Sequence, residues 1–134
     1  MTDIEPRGIR NNNPGNIRYD GTAWRGLAAP PTDGAFCRFS DAPHGIRAMA
    51  KIISNYGKKY GLCTIAGIVG RWAPPTENNT GAYVAAVARA IGCAPDAPID
   101  IDKNLFGLCR AIIKHENGKC PYSDDEIKRG IELC

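Results

Sequence analysis

Along residues 46–133 the apolar side chains recur at spacings of three and four, whereas in residues 7–45 they stand in short runs among Gly, Pro, Asn and Asp. The first pattern is that of amphipathic helices and the second that of short strands joined by turns. In "HGIRAMAKIISNYGKKYG" the residues Ile46, Met49, Ala50, Ile53 and Tyr56 share one helical face. A shorter helix is predicted after Thr64, with Ile65, Ile68, Val69 and Trp72 ahead of the breaker "APP". The segment "NNTGAYVAAVARAIG" predicts a third, capped by Asn79 or Thr80, with Tyr83, Val84, Val87 and Ile91 on its apolar face and Gly92 at its end. After the Pro-rich link "CAPDAPIDID", Asp102 is the expected cap of "KNLFGLCRAIIKHE". The last helix starts at "SDDE", a capping-box pattern of Ser123 and Glu126. Upstream, "NIRY" and "AFCRF" are read as short strands, and "NNNPGN" as a tight turn in which Asn tolerates left-handed backbone angles. The expected fold is one domain, mainly α (α+β), with a helical body and a small irregular β lobe near the N-terminus.

Composition narrows the classes. The 134 residues carry a formal charge of +3, too weak a bias to mark a nucleic-acid surface without clustering. The opening "MTDIEPRGIR" lacks the apolar core of a signal peptide, and no run approaches the roughly 18 apolar residues of a membrane span. Synthesis in the cytosol without membrane insertion is expected, so action outside would require another export route. The six cysteines show no Cys-x-x-Cys spacing, which argues against metal or redox chemistry. Their even number permits disulfides in an oxidising compartment, with Cys109 on an apolar face equally suited to be a buried thiol.

One charge falls on the wrong face. Leu105, Cys109, Ile112 and Glu116 follow one another at steps of four, three and four, so the carboxylate continues a buried stripe just before the helix-stopping Asn117 and Gly118. A half-enclosed carboxyl can keep its proton near neutral pH, as a general acid requires. The structural alternative pairs Glu116 with Lys114, Lys119 or Arg110, or turns it to water, while His115 beside it suits the helix dipole better than catalysis. A second cluster, "RWAPPTENNTGAYVAAV", combines Trp72, Glu77 and Tyr83 with amides and hydroxyls, groups that suit the apolar faces and hydroxyl rims of sugars but also serve as core and caps.

With these residues in view, the chain resembles the lysozyme superfamily, in particular phage-associated muramidases and lytic transglycosylases that cut peptidoglycan glycan strands. "AIIKHENG" looks like the helix that ends in the catalytic Glu, "NPGNIRYDGTAWRG" with "AFCRFSDAPHGIRAM" like the sheet lobe and its exit, and "TGAYVAAV" like the cleft segment. The order differs, because the Glu helix is last but one, which implies circular permutation, with Glu116 meeting the lobe through space. The string "RGIRNNNPGNIRY" through "HENG" is also similar to small phage and prophage proteins described as structural or lysozyme-like.

The resemblance implies Glu116 as general acid, Tyr83 as a cleft residue that orients substrate or stabilises positive charge, and Glu77 as the second carboxylate, with Asp20, Asp33 and Asp41 as reserves. It further implies Asn13, Asn16, Arg18, Trp24, Trp72 and Thr80 as sugar-binding residues and no cofactor. The expected reaction is cleavage between N-acetylmuramic acid and N-acetylglucosamine at the bacterial cell wall, with delivery by phage or a secretion system, and with virion proteins or an immunity protein as further partners. A noncatalytic virion or wall-binding module is the rival reading. A Cys/His peptidase is weaker, because His44 and His115 are the sole histidines and no cysteine stands in a nucleophile context.

Overall fold

The computed structural model describes residues 5–76 and 78–134. Among these, a one-turn helix α1 (Arg7–Arg10) leads into an antiparallel pair, β1 (Leu27–Thr32) and β2 (Cys37–Phe39). Five helices follow: α2 (Ala42–Tyr60), α3 (Ile65–Trp72), α4 (Thr80–Ile91), α5 (Ile101–Asn117) and α6 (Asp124–Glu132). The chain is thus mainly α with a small β lobe, as the periodicities predict. No helix among the described residues is long and apolar enough to cross a membrane.

The helix ends follow local chemistry. Asp41, Thr64, Asn79 and Ser123 each accept a backbone N–H in the first turn that follows, and Ser123 and Glu126 complete a reciprocal capping box. Each such cap contributes about 1 kcal/mol. The α5 cap is Asp100, which accepts from Lys103 N, so the expected cap Asp102 lies within the first turn. Both aspartates fit a capping role, and the chain uses the earlier one.

The N-terminal region departs further from expectation. "NIRY" is no strand but contributes a single bridge, Arg18 with Phe36. The longer strand is instead "LAAPPT", whose two prolines argue against a strand, although an edge position tolerates them. Asn12 and Asn16 both take left-handed angles, with φ of 51° and 52°, as the turn reading of "NNNPGN" requires.

The main core joins the apolar faces of α2 to α6, with Ile46, Ile53, Ile68, Val87, Leu108, Ile112 and Ile127 all fully enclosed. Each contributes about 1.5–3 kcal/mol through burial. A smaller cluster of Cys37, Phe39 and Ala48, flanked by Trp24, fastens the β lobe to α2. All six cysteines are free thiols, so the disulfides that the even count permits are not formed.

Candidate active site

The helix α5 carries Glu116 in its last turn. The stripe beneath it behaves as the spacing predicts: Leu105, Cys109 and Ile112 are buried, and Glu116, half-buried, stands where that stripe meets the surface. Of the alternative partners, Arg110 pairs with Asp124 at 3.8 Å and Lys119 with Glu5 at 3.1 Å. Glu116 meets two other groups. Asn16 donates from Nδ2 to Oε1 at 2.9 Å, and the Tyr83 hydroxyl donates to Oε2 at 2.8 Å. Asn16 belongs to the N-terminal turn, so the bond spans 100 residues of chain, and the lobe reaches Glu116 through space.

The turn is held rigidly. Asn13 is fully enclosed, its Nδ2 donating to the carbonyls of Ile17 and Cys37 and its Oδ1 accepting from Ile17 N. Asn117, next to the acid, points inward and donates to Pro14 O at 2.8 Å and Ile113 O at 2.9 Å. The remaining amide oxygens of Asn16 and Asn117 converge on Gly8, where a Cβ would lie 2.8 and 2.6 Å from them. Only glycine lets α1 approach so closely.

Tyr83 is 1% exposed, and its ring lies on the His115 imidazole with centroids 3.9 Å apart. Burial, the negative charge of Glu116 and the hydrogen bond to it push the phenol far above the ordinary tyrosine range, while the Trp72 indole N–H acts in the opposite sense. Tyr83 is therefore a neutral donor throughout the physiological range.

A cleft of about 290 Å³ opens in front of Glu116. Ile17, Ile52 and Tyr56 give it an apolar floor, and Asn16, Arg18, Trp72 and Asn78 add polar groups to its walls. A small concave site with an apolar base and a few converging polar groups is the usual form of a ligand site. Phe36 closes one end, lying beneath the guanidinium groups of Arg7 and Arg18 at 4.5 and 5.0 Å.

Of the expected site residues, the structure brings together Glu116, Tyr83, Asn16, Arg18 and Trp72. Three others are scaffold. Asn13 is enclosed in the turn, Trp24 packs against the small β-lobe core, and Thr80 donates to Ala73 O at 2.6 Å, which fixes the lead into α4. Asn16 itself bonds the acid, so its Nδ2 holds Glu116 where the resemblance implies sugar binding. The reserve acids also serve elsewhere: Asp20 in a turn with Thr22, Asp33 with Arg7, and Asp41 capping α2 beside His44. Glu77 lies outside the described residues. Phe36, Tyr56 and Asn78 line the cleft without a signal in the sequence that marks them for it; helical spacing places Tyr56 on the core face, and nothing in the spacing of Asn78 sets it apart.

No protein-family model matches the chain. It is 43% identical over 129 residues to Protein P5 of Pseudoalteromonas phage PM2, an alignment that covers 94% of this chain and 80% of that protein.

Proposed function

This chain belongs to the family of Protein P5 of phage PM2, and from that premise we propose that it is a glycan-cleaving enzyme of peptidoglycan with Glu116 as general acid. The observation that carries the reading is the carboxylate of Glu116, half-buried at the mouth of an apolar-floored cleft and held through both oxygens by Asn16 and Tyr83. A carboxylate has about four lone-pair sites, and two hydrogen bonds leave room for a proton directed into the cleft. Two fixed donors also remove the cost of orienting the acid at the moment of transfer.

In the proposed reaction Glu116 protonates the glycosidic oxygen between N-acetylmuramic acid and N-acetylglucosamine. As the bond breaks, positive charge develops on the sugar and negative charge returns to Glu116, where Asn16 and Tyr83 stabilise it. Trp72 and the apolar floor offer contacts for sugar CH faces, and Asn78 and Arg18 offer hydrogen bonds for their polar rims. The overall order of elements, with the lobe far ahead of the acid helix, fits a circularly permuted lysozyme-like domain. A phage relative fits a role at the bacterial wall, which phage must breach on infection and release.

The test is incubation of wild-type and Glu116→Gln protein with peptidoglycan, with products read by mass spectrometry after circular dichroism has confirmed folding. Soluble glycan fragments from the wild type alone are expected. Their ends report the chemistry: 1,6-anhydro ends mean that the substrate's own hydroxyl completes the reaction, and reducing ends mean attack by water. Equal cleavage by both proteins removes Glu116 from the mechanism. Among the described residues that line the cleft, Glu116 is the sole carboxylate, and its other polar groups include the amides, indole and guanidinium of Asn16, Asn78, Trp72 and Arg18, which favours a noncatalytic wall-binding module as second reading. Binding to peptidoglycan with no release by either protein supports that module.

A further inference from the structure

A second hollow, of about 450 Å³, opens between α4 and α5 beside the Glu116 site. Its floor is small and apolar, with Ala86 and Ala90 from one helix and Ala111 from the other. Its rim holds Arg89 of α4 and Lys114 and His115 of α5, all exposed. No acid lines the hollow among the described residues, and neither Arg89 nor Lys114 forms an ion pair among them. Last-turn cations suit the dipole of each helix taken separately. That preference does not require both helices to direct their cations over one acid-free hollow. The hollow is also one ring away from the acid, since His115 lies on Tyr83 and Tyr83 bonds Glu116.

We propose that this hollow binds the carboxylate-bearing stem peptide of the glycan strand whose sugars occupy the Glu116 cleft, an inference that rests on the glycan-cleaving reading. A stem peptide combines alanine methyls with several carboxylates. The methyls match the alanine floor, the Arg89 guanidinium can take a carboxylate through two parallel hydrogen bonds, and Lys114 adds a point charge. The hollow thus selects glycan that carries peptide over bare glycan, and sets which bonds of the strand are presented to Glu116.

The experiment measures binding without turnover. Glu116→Gln protein is titrated with an N-acetylmuramoyl peptide and, separately, with a peptide-free N-acetylglucosamine oligomer, with calorimetry as the readout. The same titrations are run after adding Arg89→Ala and Lys114→Ala. The expected result is roughly tenfold weaker binding of the muramoyl peptide, the effect of removing two solvent-exposed charged partners, with oligomer binding unchanged. Amidation of the peptide carboxylates reproduces the loss in the parent protein. Unchanged affinity for the muramoyl peptide overturns the proposal, as does equal binding of an unrelated acidic peptide, which would assign the hollow to an acidic segment of a protein partner. Failure of the wild type to cut peptidoglycan refutes the catalytic reading and leaves the binding result standing, so the two failures are distinguishable.

Discussion

Replacing Tyr83 by Phe removes one hydroxyl and leaves in place a ring that is 1% exposed and stacked on His115. The substitution deletes a 2.8 Å hydrogen bond to Glu116 Oε2. Hydrogen bonds to charged groups contribute about 1.5–3 kcal/mol, and Glu116 keeps its Asn16 bond and access to water in the cleft, so the lower end, about 1.5 kcal/mol, is expected at pH 7. For a chain of this size that is a fall in Tm of roughly 5 °C. Alkali provides the second half of the argument. The unfolded chain ionises tyrosine near pH ~10, whereas burial and the Glu116 charge hold the native phenol protonated well above that. Above pH ~10 the native state therefore binds more protons than the unfolded state, and stability falls by up to about 1.4 kcal/mol per pH unit. The Tyr83 contribution is fully present below that pH and is lost as pH rises from there toward the raised native value. The phenylalanine variant has no such dependence, so its deficit closes from about 1.5 kcal/mol at pH 7 to near zero at pH ~11. Urea unfolding of both proteins at neutral and alkaline pH measures this. The titrations of Tyr56 and Tyr122, both also raised by burial, the latter to about 12, cancel in the difference. A deficit of the same size at both extremes, or none at pH 7, refutes the buried-donor reading.

Three further outcomes are expected. Gly45→Ala places a Cβ against the Asn12 carbonyl oxygen, far inside van der Waals range, so α2 cannot pack on the N-terminal turn; a loss above about 3 kcal/mol or failure to fold is expected in thermal melts, and a near-native Tm would show that the turn is free to move. Asp33 is held well below the usual carboxylate range by the Arg7 guanidinium first, then by the Phe36 amide, Asn11 and the Ala35 amide. Its stabilising effect is present above pH ~4 and lost as pH falls from there toward the depressed native value, so the stability gap between wild type and Asp33→Asn narrows on acidification; a gap independent of pH counts against it. Under native conditions iodoacetamide modifies the exposed Cys63 and Cys134 first, and spares Cys37 and Cys109 until unfolding, because both are enclosed and burial pushes the Cys109 thiol up to about 12. Peptide mapping that finds Cys109 labelled as fast as Cys63 would contradict this packing.

Legibility in the chain divides along sequence range. The amphipathic helices announce themselves because period and caps are local, and α2, α3, α4 and α6 begin within two residues of their predicted starts. The Pro-Pro of β1 hides a strand, since its prolines tolerate an edge position that the sequence does not reveal. The start of α5 lies ahead of the expected one because Asp100 and Asp102 are equally good caps. Glu116 is legible as an acid on an apolar face, and Tyr83 as an apolar-face residue close in kind to a cleft residue. The partnership of Asn16 with Glu116 is invisible locally, because nothing within either segment specifies a bond across 100 residues. Asn13 and Thr80 have the chemistry of sugar ligands, but both direct their hydrogen bonds to backbone groups, Asn13 inside the enclosed turn and Thr80 at the start of α4.

Two neighbours at the end of α5 explain how the site is assembled. Residues 116 and 117 are one step apart on the helix, about 100° around its axis, so one can face the cleft while the other faces the turn. Asn117 takes the inward position and ties the turn at Pro14, and Glu116 takes the outward one and receives Asn16 from the same turn. The carboxylate therefore receives one of its two hydrogen bonds from within the helical body, from Tyr83, and the other only when the N-terminal turn and α5 have docked. Gly8 permits that docking, because a Cβ there would collide with both amide oxygens. Such non-local closure costs chain entropy before it is rewarded by packing. The completed cleft thus marks full docking of the N-terminal lobe.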